Sequence, residues 1–170
     1  MEFTQVVNER YACKKFDGRA VPRKVLFEIL EAGRVAPTAK NLQPQRIYVL
    51  ESEEALQKFD QLTPCRYGAG TVLLVCYDGS ELYHYPGGKR DSGIEDASIV
   101  ATHLMLAAKN AGVESCWLNR LDPEEAAAMF ELPENEVVVM ALDLGYPAEG
   151  AGPLPNHMSR KPLEETVRFL

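Results

Sequence analysis

The sequence predicts a three-layer domain of the α+β or α/β class, and three observations predict it. TVLLVCY (71–77) and VVVMALDLGY (137–146) are apolar runs of strand length, read as strands buried on both faces. Ile94, Ala97, Ala101, Leu104, Ala108 and Ala111 step by three and four, which is the period of one long helix. Strands and helices alternate along the chain, with few strands and long helices.

In order, PRKVLFEILEAGR (22–34) reads as a helix. Pro22 suits its first position, and Val25, Ile29 and Ala32 recur on one face. RIYVLES (46–52) reads as a strand leading into a short acidic helix, EEALQKF. The stretch 78–93, DGSELYHYPGGKRDSG, has no sustained period and reads as a functional loop. The helix 94–111 is nearly apolar all round, which predicts a place in a core or an interface. SCWLN (115–119) reads as a short strand, and DPEEAAAMF (122–130) as a helix capped by Asp122. After Pro147 the prolines at 153, 155 and 162 predict an extended tail.

The 170 residues fit one domain, 1–170, with 46% apolar and 25% charged residues. The net charge of −7 argues against a nucleic-acid partner, since backbone binding needs a basic surface. No run approaches the roughly 18–20 apolar residues of a membrane span, and no cationic start precedes an apolar stretch. A cytoplasmic protein without membrane partner is expected. The cysteines at 13, 65, 76 and 116 form no CxxC pair and no cluster with His84, His103 or His157. Inert thiols are therefore expected, and no metal.

Four segments could carry chemistry. In NERYACKKF (8–16), Arg10 and Lys14 stand one helical turn apart, either as a solvated basic face or as an anion site. APTAKNLQPQR (36–46) is rich in amides that could read the edge of a planar heterocycle, and an ordinary Asx/ST turn explains it equally well. GVESCWLNR (112–120) ends the long helix, and MSRKPL (158–163) is a second basic cluster. GxSxG, P-loop, HExxH and GxGxxG motifs are all missing.

Together and in order, these segments resemble the nitroreductase superfamily of FMN-dependent oxidoreductases. ERYACKKF is similar to its opening Arg-x-Ser-x-Arg/Lys-x-Phe, and APTAKNLQPQR to its Ala-Pro-Ser-x-x-Asn-x-Gln-Pro-Trp turn. DSGIEDASIVATHLMLAAKNAGVESCW, GYP and SRKPLEE resemble its later motifs, so the likeness runs from about Arg10 to Leu163. The resemblance implies an α+β fold, a three-layer α/β/α sandwich with a mainly antiparallel central sheet and a C-terminal tail exchanged between subunits. It also implies a homodimer with FMN at the interface.

By that resemblance, Arg10, Tyr11, Ala12 and Lys14 contact the cofactor, at its phosphate and at the N1–C2 edge of its ring. Pro37, Thr38, Ala39, Asn41 and Gln43 form the turn laid against the partner's FMN. Leu118, Asn119 and Arg120 lie near N5, and Arg160 is a second phosphate ligand. Ala12 stands where a phosphate-binding Ser is usual, and Gln45 where Trp commonly follows the proline. Gly-Val-Glu (112–114) replaces Gly-Leu-Gly.

The implied reaction is ping-pong two-electron transfer from NAD(P)H to a nitroaromatic, quinone or similar small acceptor. FMN carries that chemistry, so no side chain is assigned as catalytic. Reductive dehalogenation and flavin fragmentation are alternatives within the superfamily, although 78–93 is small for a covering lid. A non-catalytic flavin-binding dimer is the alternative of another class.

Overall fold

The computed structural model describes residues 1–170. Its sheet has four strands, β1 (Gln45–Leu50), β2 (Thr71–Asp78), β3 (Glu114–Leu118) and β4 (Glu136–Gly145). They lie in the order β1-β2-β4-β3, and every neighbouring pair is antiparallel. β2 and β4 are the central pair, which explains their continuous apolar runs: Thr71 to Cys76 are all buried.

The pleat divides these strands between two helical layers. On one face Leu73, Val75, Met140, Leu142 and Leu144 pack with Leu26 and Ile29 of α2 (Arg23–Arg34) and with Val100 and Leu104 of α4 (Gly93–Asn110). On the other, Val72, Leu74, Cys76 and Ala141 meet Phe59 of α3 (Glu53–Leu62) and Ala126 of α5 (Pro123–Met129). Each fully buried Leu, Ile or Phe side chain contributes roughly 1.5–3 kcal/mol. The result is the α/β/α sandwich that the sequence predicts.

Helix ends follow side-chain chemistry. Asp122 caps α5 as expected, its Oδ1 accepting the amides of Glu124 (2.9 Å) and Glu125 (3.1 Å). Ser52 accepts the Ala55 amide at 3.1 Å and starts α3, so β1 stops at Leu50, short of the predicted end at 52. α4 ends where Gly112 takes φ +76°, letting Val113 N–H reach the Ala108 carbonyl (2.9 Å) and Gly112 N–H reach that of Lys109 (3.1 Å).

Three details differ from the sequence reading. Pro22 is the N-cap of α2, with ψ 140°, and not its first helical residue. A short helix, α1 (Phe3–Glu9), precedes the first motif and buries only Val6. The tail is irregular as expected, apart from one turn of helix, α6 (Leu163–Thr166). α4 is only partly covered within the chain: Ile94 is 63% exposed and Ile99 38%. No helix is long and apolar enough to cross a membrane.

Candidate functional site

The chain leaves α1 as extended backbone. Arg10 has φ −63° and ψ 143°, Ala12 bridges Ser115 in parallel, and the Cys13 amide donates to the Ser115 carbonyl at 2.9 Å. The helical spacing expected for Arg10 and Lys14 is thus wrong, because the edge of β3 captures this segment before a second turn can form. Their shared direction survives for another reason. An extended chain has a period of two, so Arg10, Ala12 and Lys14 face one side. Cys13 faces the other and is wholly buried, in a small core with Phe16, Ala69 and Cys116.

Arg10, Ala12 and Lys14 form one wall of a cleft of about 280 Å³. Leu154, Asn156, His157 and Arg160 of the tail form the other, so the two basic clusters of the sequence meet across it. No carboxylate lines this cleft, although the protein carries 25 acidic residues. Arg10, Lys14 and Arg160 take part in no salt bridge. Arg160 donates through Nη1 to the carbonyls of His157 (2.5 Å) and Ser159 (2.7 Å), which ties it to the tail and leaves its other N–H groups available. Tyr11 meets His157 edge-on, ring centroids 6.4 Å apart, and burial pushes its phenol up to about 12. Tyr11 does not line the cleft itself: it packs against the buried core of Cys13 and Phe16, with its hydroxyl toward the Cys13 thiol.

Tyr67 joins this wall to the end of β3. The Lys14 ammonium lies 5.8 Å from the centre of its ring. The residue sits in the left-handed region, φ 53°, and its carbonyl accepts the Phe16 amide at 2.9 Å. A hydrogen bond from Tyr67, with the nearby charge of Arg120, lowers the Cys65 thiol, whereas burial raises Cys116 to about 12. Leu118 is buried in β3, while Asn119 and Arg120 are exposed beyond it. Asn119 Oδ1 accepts the indole N–H of Trp117 at 2.9 Å.

Pro37 to Gln43 are not in this cleft. They connect α2 to β1 through a single 3-10 turn, Ala39–Asn41, in which Thr38 Oγ1 accepts the Gln43 amide (3.1 Å) and Thr38 O that of Asn41 (2.9 Å). Lys40, Asn41 and Gln43 all have positive φ, and Asn41 and Gln43 are exposed. One chain therefore unites Arg10, Ala12, Lys14 and Arg160, leaves 118–120 beside them through Tyr67, and holds 37–43 elsewhere. Sequence reasoning missed Asn156, His157 and Tyr67. The first two directly precede the basic tail motif and could have been found there; Tyr67 gave no signal.

The cation-lined cleft fits the phosphate of a mononucleotide cofactor: guanidinium, ammonium and amide donors with no competing carboxylate. Its volume falls just under the roughly 300–1,000 Å³ of pockets that enclose a whole ligand. No group of three or more His, Cys, Asp or Glu side chains converges as metal ligands would.

The profile of the nitroreductase family matches residues 7–67 and 64–146. A protein of Archaeoglobus fulgidus, provisionally named NADH dehydrogenase/NAD(P)H nitroreductase, is 32% identical over 158 residues, covering 87% of each chain. The crystal structure of a nitroreductase family protein from Clostridium difficile superposes with a TM-score of 0.92 at 31% identity, covering 99% of this chain and 98% of its own. A protein from Exiguobacterium sibiricum, solved in complex with FMN, shares the fold with a TM-score of 0.86 at 19% identity, covering 100% and 98%.

Proposed function

The chain belongs to the nitroreductase family, and from that premise we propose that it is an FMN-dependent oxidoreductase passing two electrons from NAD(P)H to a small nitroaromatic, quinone or similar acceptor by a ping-pong course. The observation that carries this reading is the cleft of Arg10, Lys14 and Arg160 free of carboxylates. Arg10 presents a fork suited to two phosphate oxygens, and Arg160 a second from the opposite wall. Ala12, exposed between Arg10 and Lys14, offers no hydroxyl, so the arginines carry more of the binding. Lys14 sets a positive charge toward Tyr67, and such a charge would suit the polar edge of the cofactor's ring. Bound FMN supplies the hydride chemistry, and the chain supplies orientation and charge.

The cleft of one chain is sized for the phosphate end of the cofactor, and the 37–43 turn lies outside it. We assign that turn to the cofactor of a second copy, which makes the working unit a homodimer. Exposed Ile94 and Ile99 on α4, with Leu163, Val167 and Phe169 in the tail, are the apolar surface such a dimer would cover, the tail by exchange.

The test is the absorption spectrum of the purified protein. A yellow protein that releases FMN, and bleaches with NADH or NADPH until an acceptor is added, is the expected result. A colourless protein that takes up no added FMN, or one that releases FAD, overturns the reading.

A further inference from the structure

The 37–43 turn holds a conformation that two of its residues, Lys40 and Gln43, resist. Lys40, Asn41 and Gln43 all occupy the left-handed region without being glycine, with φ of 52°, 55° and 54°. Such a turn persists only when something outside it fixes its shape. The outside tie is a carboxylate far along the chain: Asp96 Oδ1 accepts the Ala39 amide at 2.8 Å.

Asp96 is 2% exposed, and its second oxygen is buried with no hydrogen-bond partner. A buried carboxylate that makes a single bond is costly to keep. Its place in the first turn of the 18-residue α4 offsets part of that cost through the helix dipole. The same helix start also grips the 78–93 loop, since Ser92 exchanges hydrogen bonds with Tyr83 (3.0 and 3.2 Å). The Lys40 ammonium, 5.0 Å from the centre of the Tyr83 ring, joins the two loops.

We propose that Asp96 is a positioning residue which, through the Ala39 amide, holds the 37–43 turn in the shape that receives the cofactor of the second copy. This rests on the functional reading above. If Asp96 is lost, the turn populates other conformations, and apparent affinity falls by the fraction that remains competent.

The experiment pairs amide exchange with FMN titration of the apo protein. Asp96→Ala should speed exchange across Ala39–Gln43 about tenfold or more, leave β2 protected, and weaken FMN binding about tenfold. Asp96→Asn, which keeps an oxygen for the Ala39 amide, should stay within about threefold of the parent in both. A merely structural role would shift the melting temperature without this rescue pattern. Ala39→Pro deletes the donor from the other side of the bond; Thr38, at φ −130° and ψ 159°, already has the backbone that precedes proline. It should give the same faster exchange, read at Lys40 to Gln43, and the same weaker FMN binding, which keeps the test open where Asp96→Ala fails to fold. Unchanged exchange, or faster exchange with parental FMN affinity, overturns the proposal. An unaltered protein that binds no FMN overturns the functional reading, and the proposal falls with it.

Discussion

Asp143 is the one wholly buried acid of the sheet, and it should make this protein less stable as pH rises. It stands in β4 opposite Val72 of β2 and Cys116 of β3, and neither carboxyl oxygen has a hydrogen-bond partner. Burial pushes its pKa from 3.8 up to about 8, against the pull of the nearby Arg66. Arg66 is committed elsewhere, to both oxygens of Asp60 (2.7 and 2.5 Å) and to the Ala69 carbonyl (2.6 Å). Because the folded pKa lies above the unfolded one, the native state holds a proton that the unfolded chain has lost. The contribution of Asp143 is therefore full below about pH 4 and is lost progressively as pH rises through about 8. At 1.36 kcal/mol per unit, the loss accumulated by neutral pH is about 4 kcal/mol.

Asp143→Asn keeps the shape and removes the titration. Melting curves of apo parent and variant, at one protein concentration across that pH range, should diverge steadily, the variant ahead by about 10 °C near neutrality. Parallel curves would show that Asp143 is ionised throughout. A variant less stable than the parent at neutral pH would show that Arg66 pairs with it after all.

Further outcomes are expected. Arg10→Ala should weaken FMN binding about ten- to a hundredfold in a fluorescence titration, while Ala12→Ser should tighten it a few-fold by restoring one neutral hydrogen bond. Gly70→Ala should destabilise by about 3 kcal/mol or more in urea, because its Cβ would lie 2.4 Å from the Arg19 carbonyl carbon, a backbone atom that cannot swing aside. Sedimentation at micromolar concentration should give a dimer, and a monomer with FMN still bound would refute the shared site.

Much of the fold was legible because its signals are local. The run 71–77 needs no partner to read as a central strand, and Asp122 announces α5 through its own side chain. α1 escaped notice because a helix that buries only Val6 leaves almost no apolar period. Arg10 and Lys14 show the limit of spacing arguments, since residues four apart share a side in a helix and in a strand alike. The turn at 36–46 was readable as a turn from Thr38 and Asn41. Its tie to Asp96 was not, because nothing local connects positions 57 apart. Asp143 was hidden inside an apolar run, where the strand signal outweighs one polar letter.

The alternation along residues 10–14 separates two kinds of genetic change. Odd positions there, Tyr11 and Cys13, answer to the interior, and even positions answer to the cleft. Substitution at the even positions can retune what the cleft binds while the packing beneath stays as it was. Insertion or deletion of one residue does the opposite, since it inverts the parity, turning the Cys13 thiol outward and driving a cation into the pocket of Phe16 and Cys116. This stretch is therefore permissive of spelling and intolerant of length.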